Sequence, residues 1–281
     1  MRAIERVFDR LNERGEGALI AYVAGGDPKL SYTPRIVGAL INGGADIVEL
    51  GIPFSDPITD GPTIQAATVR ALRNGATPKI VLEAVQKIKR EHDTPIVILT
   101  YYNPVFRMGL KAFFSLAESC GVDGIIVPDL PIEEASDFEK VAETHSIDTI
   151  FLASPSTPIQ RLRKIIDHTS GFLYLVSLFG VTGARERLQD LTVQTIRRFL
   201  PYTRGRIPVA VGFGMSEPEH VKTVIENGVD GAIVGSAFVK IIEENQEDID
   251  ELVKRMETKT RQLKRGTLSK RALEKLKNIQ R

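Results

Sequence analysis

The apolar residues of this chain fall into short, nearly continuous runs that are separated by segments of helical period. The runs are rich in β-branched residues and most of them follow Gly, Pro or Asp, which predicts strands buried on both faces of a parallel sheet. Eight strands are predicted: Ala18–Val23, Ile47–Leu50, Pro95–Thr100, Gly124–Val127, Thr149–Ala153, Phe172–Val176, Pro208–Val211 and Ala232–Val234.

The segments between these strands predict helices, so the chain alternates strand and helix eight times. The clearest are Ser31–Asn42, Ile80–Glu91, Leu110–Ser119, Glu133–His145, Gln160–His168 and Pro218–Glu226. This alternation favours a single α/β domain over residues 1–281, a (β/α)8 TIM barrel. An extra N-terminal helix, Ile4–Glu13, is expected to cap the N-terminal end of the barrel. The charged tail, Glu243–Arg281, predicts an outer helix with a break at Gly266.

One acid interrupts the apolar pattern. Glu49 lies inside a predicted buried strand, where an ionised carboxylate loses its hydration and is costly unless it is paired or used. A turn-rich loop with two further acids, Asp56 and Asp60, follows at once. Function in a TIM barrel lies at the carboxyl ends of the strands, so this end predicts a site for proton chemistry. Asp60 is the expected partner of Glu49, although Asp is also a common turn residue, and Asp56 more often has a structural role.

Three glycine-bearing segments follow the last three predicted strands. They are Gly180–Ala184, Gly212-Phe213-Gly214 and Gly235-Ser236. Glycines allow backbone N–H groups to approach an anion, and a helix starting at Ser236 would direct its positive end toward it. Loops after strands seven and eight often bind phosphate in this fold. The pattern therefore predicts phosphate binding, with ordinary tight turns as the alternative.

Residue types that are absent from the relevant positions exclude several kinds of site and mechanism. No predicted strand core contains lysine, so a Schiff-base mechanism lacks its nucleophile. The four histidines fall in or beside predicted outer helices without ligand spacing, and Cys120 is the only cysteine, so we expect no metal site and no internal disulfide. The net charge of +1 gives no reason to expect nucleic acid as a partner.

The same reasoning bears on location. The first residues predict an amphipathic helix rather than a signal peptide. No apolar run approaches the roughly 20 residues that span a bilayer, so no membrane partner is expected. We therefore expect a soluble, cytoplasmic protein.

Several motifs together are similar to those of a known family. The segment Glu49–Gln65, of sequence ELGIPFSDPITDGPTIQ, closely resembles the signature of the tryptophan synthase α subunit. Further matching motifs are Gly25-Gly26-Asp27-Pro28, Tyr101-Tyr102-Asn103-Pro104, Pro128-Asp129-Leu130-Pro131, Gly180–Ala184, Gly212-Phe213-Gly214 and Gly235-Ser236. The resemblance covers about residues 18 to 242.

The resemblance implies a lyase that cleaves indole-3-glycerol phosphate to indole and glyceraldehyde 3-phosphate in L-tryptophan biosynthesis. It implies Glu49 as the general acid and base, and Asp60 as the carboxylate that binds the indole nitrogen. It implies no cofactor in this chain. The implied partner is a β subunit that carries pyridoxal phosphate and receives the indole, in an αββα heterotetramer.

The resemblance also assigns binding residues. Tyr22, Thr100, Leu152 and Phe213 would line the indole pocket, with Tyr174 close to the ligand. Gly183, Gly212, Phe213, Gly214, Gly235 and Ser236 would hold the phosphate. A lid from Ser177 to about Gln189 would bring Thr182 to Asp60 on closure. Asp56, Asn103, Pro104 and Pro131 would face the β subunit.

Three departures from the family pattern leave these catalytic residues in place. Thr59 stands where alanine is usual, Leu178-Phe179 where Arg-Ala is common, and Tyr22 where phenylalanine is common. They bear on lid motion and on signalling to the β subunit. Two alternatives stay open: a stand-alone lyase without a β partner, and a barrel that has lost catalysis and regulates a partner. The retained Glu49 and Asp60 argue against the second.

Overall fold

Short strands and helices alternate along the chain in the computed structural model, which describes residues 1–176, 185–212 and 214–268, and only the backbone of 185–189. The strands are β1 Ala18–Ala24, β2 Ile47–Gly51, β3 Ile96–Leu99, β4 Gly124–Ile126, β5 Asp148–Ile150, β6 Leu152–Ala153, β7 Leu173–Val176, β8 Val209–Gly212 and β9 Gly231–Val234. All neighbouring strands among them pair in parallel, which confirms the sheet that the apolar pattern predicts.

Helices connect these strands. They are α1 Ala3–Arg14, α2 Thr33–Asn42, α3 Pro62–Arg73, α4 Pro78–Lys89, α5 Tyr102–Met108, α6 Leu110–Ser119, α7 Ser136–Thr144, α8 Ile159–His168, α9 Arg185–Thr203, α10 Pro218–Glu226, α11 Ser236–Glu244 and α12 Ile249–Arg265, with 3₁₀ turns at Leu30–Tyr32 and Ile132–Glu134. None of the described helices is long and apolar enough to cross a membrane.

The sheet closes through the fifth predicted strand. That strand is divided at Phe151 into β5, which pairs with β4, and β6, which pairs with β7. The Phe151 carbonyl still accepts a hydrogen bond of 3.1 Å from the Tyr174 N–H. The two ends of the sheet are thus consecutive in the chain, and the sheet forms a TIM barrel.

Alternate side chains of each strand face opposite sides of the sheet. One set, including Ile20, Ile47 and Val97, forms a cluster inside the barrel, whereas the other set packs beneath the helices. Helix α1 contributes Ile4, Val7, Phe8 and Leu11 to the inner cluster. The predicted N-terminal cap is therefore confirmed, and the barrel interior is closed at that end by apolar side chains.

Some boundaries differ from the sequence pattern. Helices α3, α5 and α9 have no counterpart among the helices named from the sequence pattern. Pro62 is the first residue of α3, where a missing N–H costs nothing. Within the predicted tail, α12 is confirmed: it ends at Arg265 and Gly266 caps it, whereas residues 269–281 lie outside the described part of the chain. Strand β5 begins at Asp148, so Glu49 is not the only acid within a strand.

Candidate active site

Glu49 points into the barrel near its carboxyl-end mouth. It pairs in register with Tyr22 on β1 and Val97 on β3. Only 1% of its surface is exposed, and its Oε2 atom has no hydrogen-bond partner in the described part of the chain. Burial, with a further contribution from the charge of Asp60, raises the pKa of Glu49 from 4.5 to about 8.

Asp60 approaches the same space from the loop that joins β2 to α3. The Gln65 side chain, in the first turn of α3, donates a hydrogen bond of 2.8 Å to the Asp60 carbonyl and so fixes the end of the loop. Partial burial raises the pKa of Asp60 from 3.8 to about 6, and a hydrogen bond from the Tyr101 hydroxyl acts in the opposite direction. The loop thus brings a second carboxyl toward Glu49.

The two carboxyl groups differ in protonation at neutral pH. With a pKa of about 8, Glu49 keeps its proton at pH 7, whereas Asp60, with a pKa of about 6, is mostly ionised. Two neighbouring acids with separated pKa values are the usual arrangement of a proton donor beside a charge-stabilising carboxylate. The site can therefore protonate a ligand and stabilise the cation that results.

Two buried tyrosines form walls beside Glu49. Burial raises the pKa of both Tyr22 and Tyr174, and the nearby carboxylates add to the effect, so both hydroxyls stay neutral. Both rings need a glycine beside them: a Cβ at Gly51 would lie 2.6 Å from the Tyr22 hydroxyl, and one at Gly212 would clash with the hydroxyl of Tyr174. Glycine at these strand ends leaves room for the two rings.

The remaining predicted wall residues are buried to different degrees. Leu152 is half-buried and packs against the inner cluster, in register with Tyr174. Thr100 is fully buried just beyond β3, and its hydroxyl donates to the Tyr101 carbonyl at 3.4 Å. Sequence reasoning missed Leu99, which packs against both the inner cluster and the cluster containing Tyr22. Because side chains alternate along β3 and Val97 faces inward, Leu99 could have been predicted to face inward too.

Side chains from two helices also pack at the mouth. Ile64 and Ala67 from α3, and Val239 from α11, pack in the cluster of Tyr22. The apolar wall of the pocket therefore comes partly from helices. Ile64 and Ala67 were not identified as pocket residues from the sequence, because no helix was predicted where α3 lies.

The glycine-bearing strand ends lie on the same side of the barrel. Gly212 ends β8, Gly235 immediately precedes α11, and Gly214 has a φ of +75°, a conformation that favours glycine. Ser236 is the first residue of α11, as predicted, so the positive end of this helix faces the mouth. Phe213, Thr182, Gly183 and the predicted lid up to residue 184 lie outside the described residues.

The predicted partner-facing residues lie at the surface around this mouth. Asp56, Asn103 and Pro131 are exposed, and Pro104 is half-buried within α5. Ile58 and Phe106, which sequence reasoning did not select, are 80% and 70% exposed. The first follows Asp56 in its loop and the second lies on α5.

Asp27 links the loop after β1 to a neighbouring helix. Its carboxylate is buried and accepts two hydrogen bonds from Arg70 of α3, Nε to Oδ1 at 2.8 Å and Nη2 to Oδ2 at 2.9 Å. This bidentate pair ties the loop after β1 to α3, the helix that follows Asp60.

The other candidate groups lie away from the mouth. Cys120 is buried at the end of α6. His145 and His168 form hydrogen bonds with Glu118 and Glu139 on the outside of the barrel. Within residues 1–176, 185–212 and 214–268, no group of three His, Cys, Asp or Glu is arranged to hold a metal ion.

Comparison with known proteins identifies the family. The family model described as tryptophan synthase alpha chain matches residues 8–268. The chain belongs to the tryptophan synthase alpha chain family. It is 48% identical to the tryptophan synthase alpha chain of Methanosarcina mazei, over 94% of each chain. It is 41% identical to that of Arabidopsis thaliana, over 95% of this chain and 96% of the other.

Solved structures of this family share the fold. The alpha subunit of Legionella pneumophila tryptophan synthase superposes with a TM-score of 0.87, at 32% identity, over 95% of this chain and 98% of the other. A chain of the Pyrococcus furiosus tryptophan synthase α2β2 complex superposes with a TM-score of 0.82, at 45% identity, over 88% and 98%. Membership of the family, and the TIM barrel that the sequence pattern predicts, are therefore both confirmed.

Proposed function

We propose that this chain cleaves indole-3-glycerol phosphate to indole and glyceraldehyde 3-phosphate, the alpha reaction of L-tryptophan biosynthesis. The observation that carries the proposal is the buried Glu49 carboxyl, which keeps its proton at neutral pH and lies beside an ionised Asp60. Family membership supplies the substrate, and the two carboxyl groups supply the chemistry that it needs.

The first step is protonation of the indole ring. Direct cleavage would leave the electron pair of the broken bond on indole C3 as a poor carbanion. Glu49 donates its proton to C3, which forms the new C3–H bond and places positive charge on the ring nitrogen. The Asp60 carboxylate accepts a hydrogen bond from the ring N–H, which strengthens as this charge develops.

The second step breaks the carbon–carbon bond. The Glu49 carboxylate takes the proton of the glycerol hydroxyl next to the bond, and the oxygen forms the aldehyde carbonyl. The electron pair of the C–C bond returns to the indole ring and neutralises the cation. Glu49 recovers the proton it gave, so the cycle closes. General acid–base steps of this kind each contribute roughly 10²–10⁴-fold.

The pocket and the glycine loops support binding of this substrate. We assign Tyr22, Thr100, Leu152, Tyr174 and Phe213 to the indole ring and glycerol chain. We assign the backbone of Gly183, Gly212, Phe213, Gly214, Gly235 and Ser236 to the phosphate, and Thr182 to closure over Asp60. The described part of this set lies at the carboxyl ends of the strands, and α11 begins beside it.

We further propose that the mouth of the barrel docks on a tryptophan synthase β subunit. Ile58 and Phe106 expose large apolar side chains there, beside Asp56, Asn103 and Pro131. Exposed apolar groups ringed by polar residues are typical of protein interfaces. The Pyrococcus furiosus relative is itself part of a tryptophan synthase α2β2 complex, which supports a partner of this kind.

The finer features of the assembly are part of the same proposal. We expect an αββα heterotetramer in which pyridoxal phosphate belongs to the β subunit, while this chain uses no cofactor of its own. We place the complex in the cytoplasm, and we expect residues 1–281 to form a single domain.

The direct test is to incubate the chain with indole-3-glycerol phosphate, alone and with a β subunit, and to measure indole and glyceraldehyde 3-phosphate. Slow release alone and a large increase with the β subunit are expected. High activity alone, with no complex in gel filtration, would favour a stand-alone lyase. No product under either condition, with the substrate still bound, would indicate a barrel without catalysis.

A further inference from the structure

Thr59, the residue before Asp60, makes contacts that are not part of the acid–base chemistry. Its backbone N–H donates to the Tyr101 hydroxyl oxygen at 3.2 Å, and its own hydroxyl lies 2.7 Å from that same oxygen. Thr59 is exposed, whereas Tyr101 is only 2% exposed. A surface loop residue is thus bonded twice to a buried side chain.

Tyr101 is held in place from several directions. Its ring lies 5.4 Å from that of Phe54, centroid to centroid. It directly precedes helix α5, and the Asp129 carboxylate accepts a hydrogen bond of 2.9 Å from the next N–H, that of Tyr102. The Tyr101 hydroxyl is therefore a fixed point to which the Asp60 loop can attach.

The number of hydrogen bonds that the Tyr101 hydroxyl can make indicates which group donates in each of its contacts. A tyrosine hydroxyl has one proton to donate and two lone pairs that accept. When the Thr59 N–H and the Thr59 hydroxyl both donate to Tyr101, they occupy both lone pairs. The Tyr101 proton is then free to point toward Asp60, and Tyr101 lowers the pKa of that carboxyl.

We propose that Thr59 is a positioning residue, which orients the Tyr101 hydroxyl toward Asp60 and holds the Asp60 loop in its working position. The inference rests on the proposed function, in which Asp60 stabilises the cation formed on indole. It assigns a role to a side chain that is not expected to touch the substrate. The same loop is fixed on its other side by the bond from Gln65 to the Asp60 carbonyl.

The test compares three variants of the isolated chain. Thr59→Val keeps the shape and the N–H but removes the hydroxyl, Thr59→Ser restores a hydroxyl, and Tyr101→Phe removes the acceptor. Thr59→Val should lower kcat roughly 3–10-fold, the effect of one lost hydrogen bond, with KM changed less than about twofold. Thr59→Ser should recover most of the loss.

The pH dependence of activity distinguishes a positioning role of Thr59 from a loss of folding. Asp60 must be ionised to act, so activity falls as the pH drops through its pKa. Without the Thr59 hydroxyl, Tyr101 donates less effectively and the pKa of Asp60 rises. The acid limb should therefore move to higher pH in Thr59→Val and in Tyr101→Phe. Glu49, Tyr22 and Tyr174 also interact electrostatically with Asp60 and are unchanged in these variants.

A double variant tests whether the two residues act together. Thr59→Val combined with Tyr101→Phe should be no slower than Tyr101→Phe alone, because the hydroxyl of Thr59 acts through Tyr101. Ser55→Ala, which removes another hydroxyl from the same loop, should leave kcat unchanged. The proposal would be overturned if the effects of the two substitutions multiplied in the double variant, or if the acid limb of the pH profile did not move. It would also be overturned if Thr59→Ser were as slow as Thr59→Val.

A second measurement does not depend on activity. Amide hydrogen exchange over residues 54–64 should speed up in Thr59→Val and more in Tyr101→Phe, because the loop loses its attachment. Unchanged exchange in both variants would refute the positioning role even if the wild-type chain released no indole. Absence of indole with faster exchange would instead refute only the proposed function.

Discussion

Two buried acids lie in strands at opposite ends of this barrel, and their surroundings differ. Glu49 is near the carboxyl-end mouth and has no described cation beside it. Asp148, at the start of β5, receives a hydrogen bond of 2.8 Å from Arg2, just before α1. Each has one carboxylate oxygen without a hydrogen-bond partner within the described chain.

The two acids differ in the neighbouring groups that offset the free-energy cost of burying a carboxylate. Burial raises the pKa of Asp148, but Arg2 opposes that effect and stabilises the charged form. At Glu49 burial and the Asp60 charge act in the same direction, so the neutral form is favoured. A buried acid with a cation anchors structure, whereas one without a cation keeps a proton that it can transfer.

We expect the strongest effect when each acid is replaced and the kcat values of the two variants are compared. Glu49→Gln keeps the side-chain shape but has no proton to give, so kcat should fall roughly 10²–10⁴-fold while substrate binding is retained. Asp148→Asn, the matched control at the other end, should keep kcat within about twofold. Indole release under saturating substrate measures both; similar losses in the two variants would contradict the contrast.

The next effect is on stability, and its sign follows from the pKa of Glu49. The folded chain keeps the Glu49 proton up to about pH 8, whereas the unfolded chain releases it near 4.5. Because the folded state binds more protons over this range, this group makes the free energy of unfolding fall as pH rises. The wild type should lose about 2–4 kcal/mol between pH 5 and 8 relative to Glu49→Gln.

Urea unfolding of both proteins at the two pH values measures this difference. Comparing the pH dependence removes any constant effect of the substitution itself. Parallel pH dependence in the two proteins would mean that Glu49 is already ionised at neutral pH, and the proposed proton donor would be lost.

The smallest expected effect concerns the anchor at the N-terminal end. Arg2→Met leaves the Asp148 carboxyl buried without its cation, which should cost about 1–3 kcal/mol of stability, since Arg2 is itself partly exposed. Adding Asp148→Asn should recover part of the loss. Thermal unfolding measures both variants, and a double variant that is less stable than Arg2→Met would argue against the pairing.

Part of the fold and site could be read from the residues because the signals are local. The apolar runs predict the strands, the leading amphipathic segment predicts α1, and Glu49 within such a run indicates an unusual acid. The split of the fifth strand at Phe151 could not be predicted, since it depends on which neighbour each half pairs with. Leu99 and Ile64 were missed because their position depends on the packing of strands and helices.

The roles of several polar residues were also beyond the sequence. Asp27 is bonded to Arg70, 43 residues further along the chain, and Thr59 is bonded to Tyr101, 42 residues away. Residues so far apart in the chain become hydrogen-bond partners only when the backbone folds. From the sequence alone, Asp27 could be recognised within a family motif and Thr59 as a departure from the family pattern, but the groups that they contact could not be named.

Periodicity and residue type along the chain were enough to predict the strand and helix alternation, the barrel, the family and the two acids. Which of the two acids keeps its proton could be inferred only from the folded protein. That outcome depends on burial and on nearby charge, and both arise when β2, the Asp60 loop and the surrounding walls come together. The folded protein also shows that Asp148, similarly buried in a strand, is matched by Arg2 and serves as an anchor.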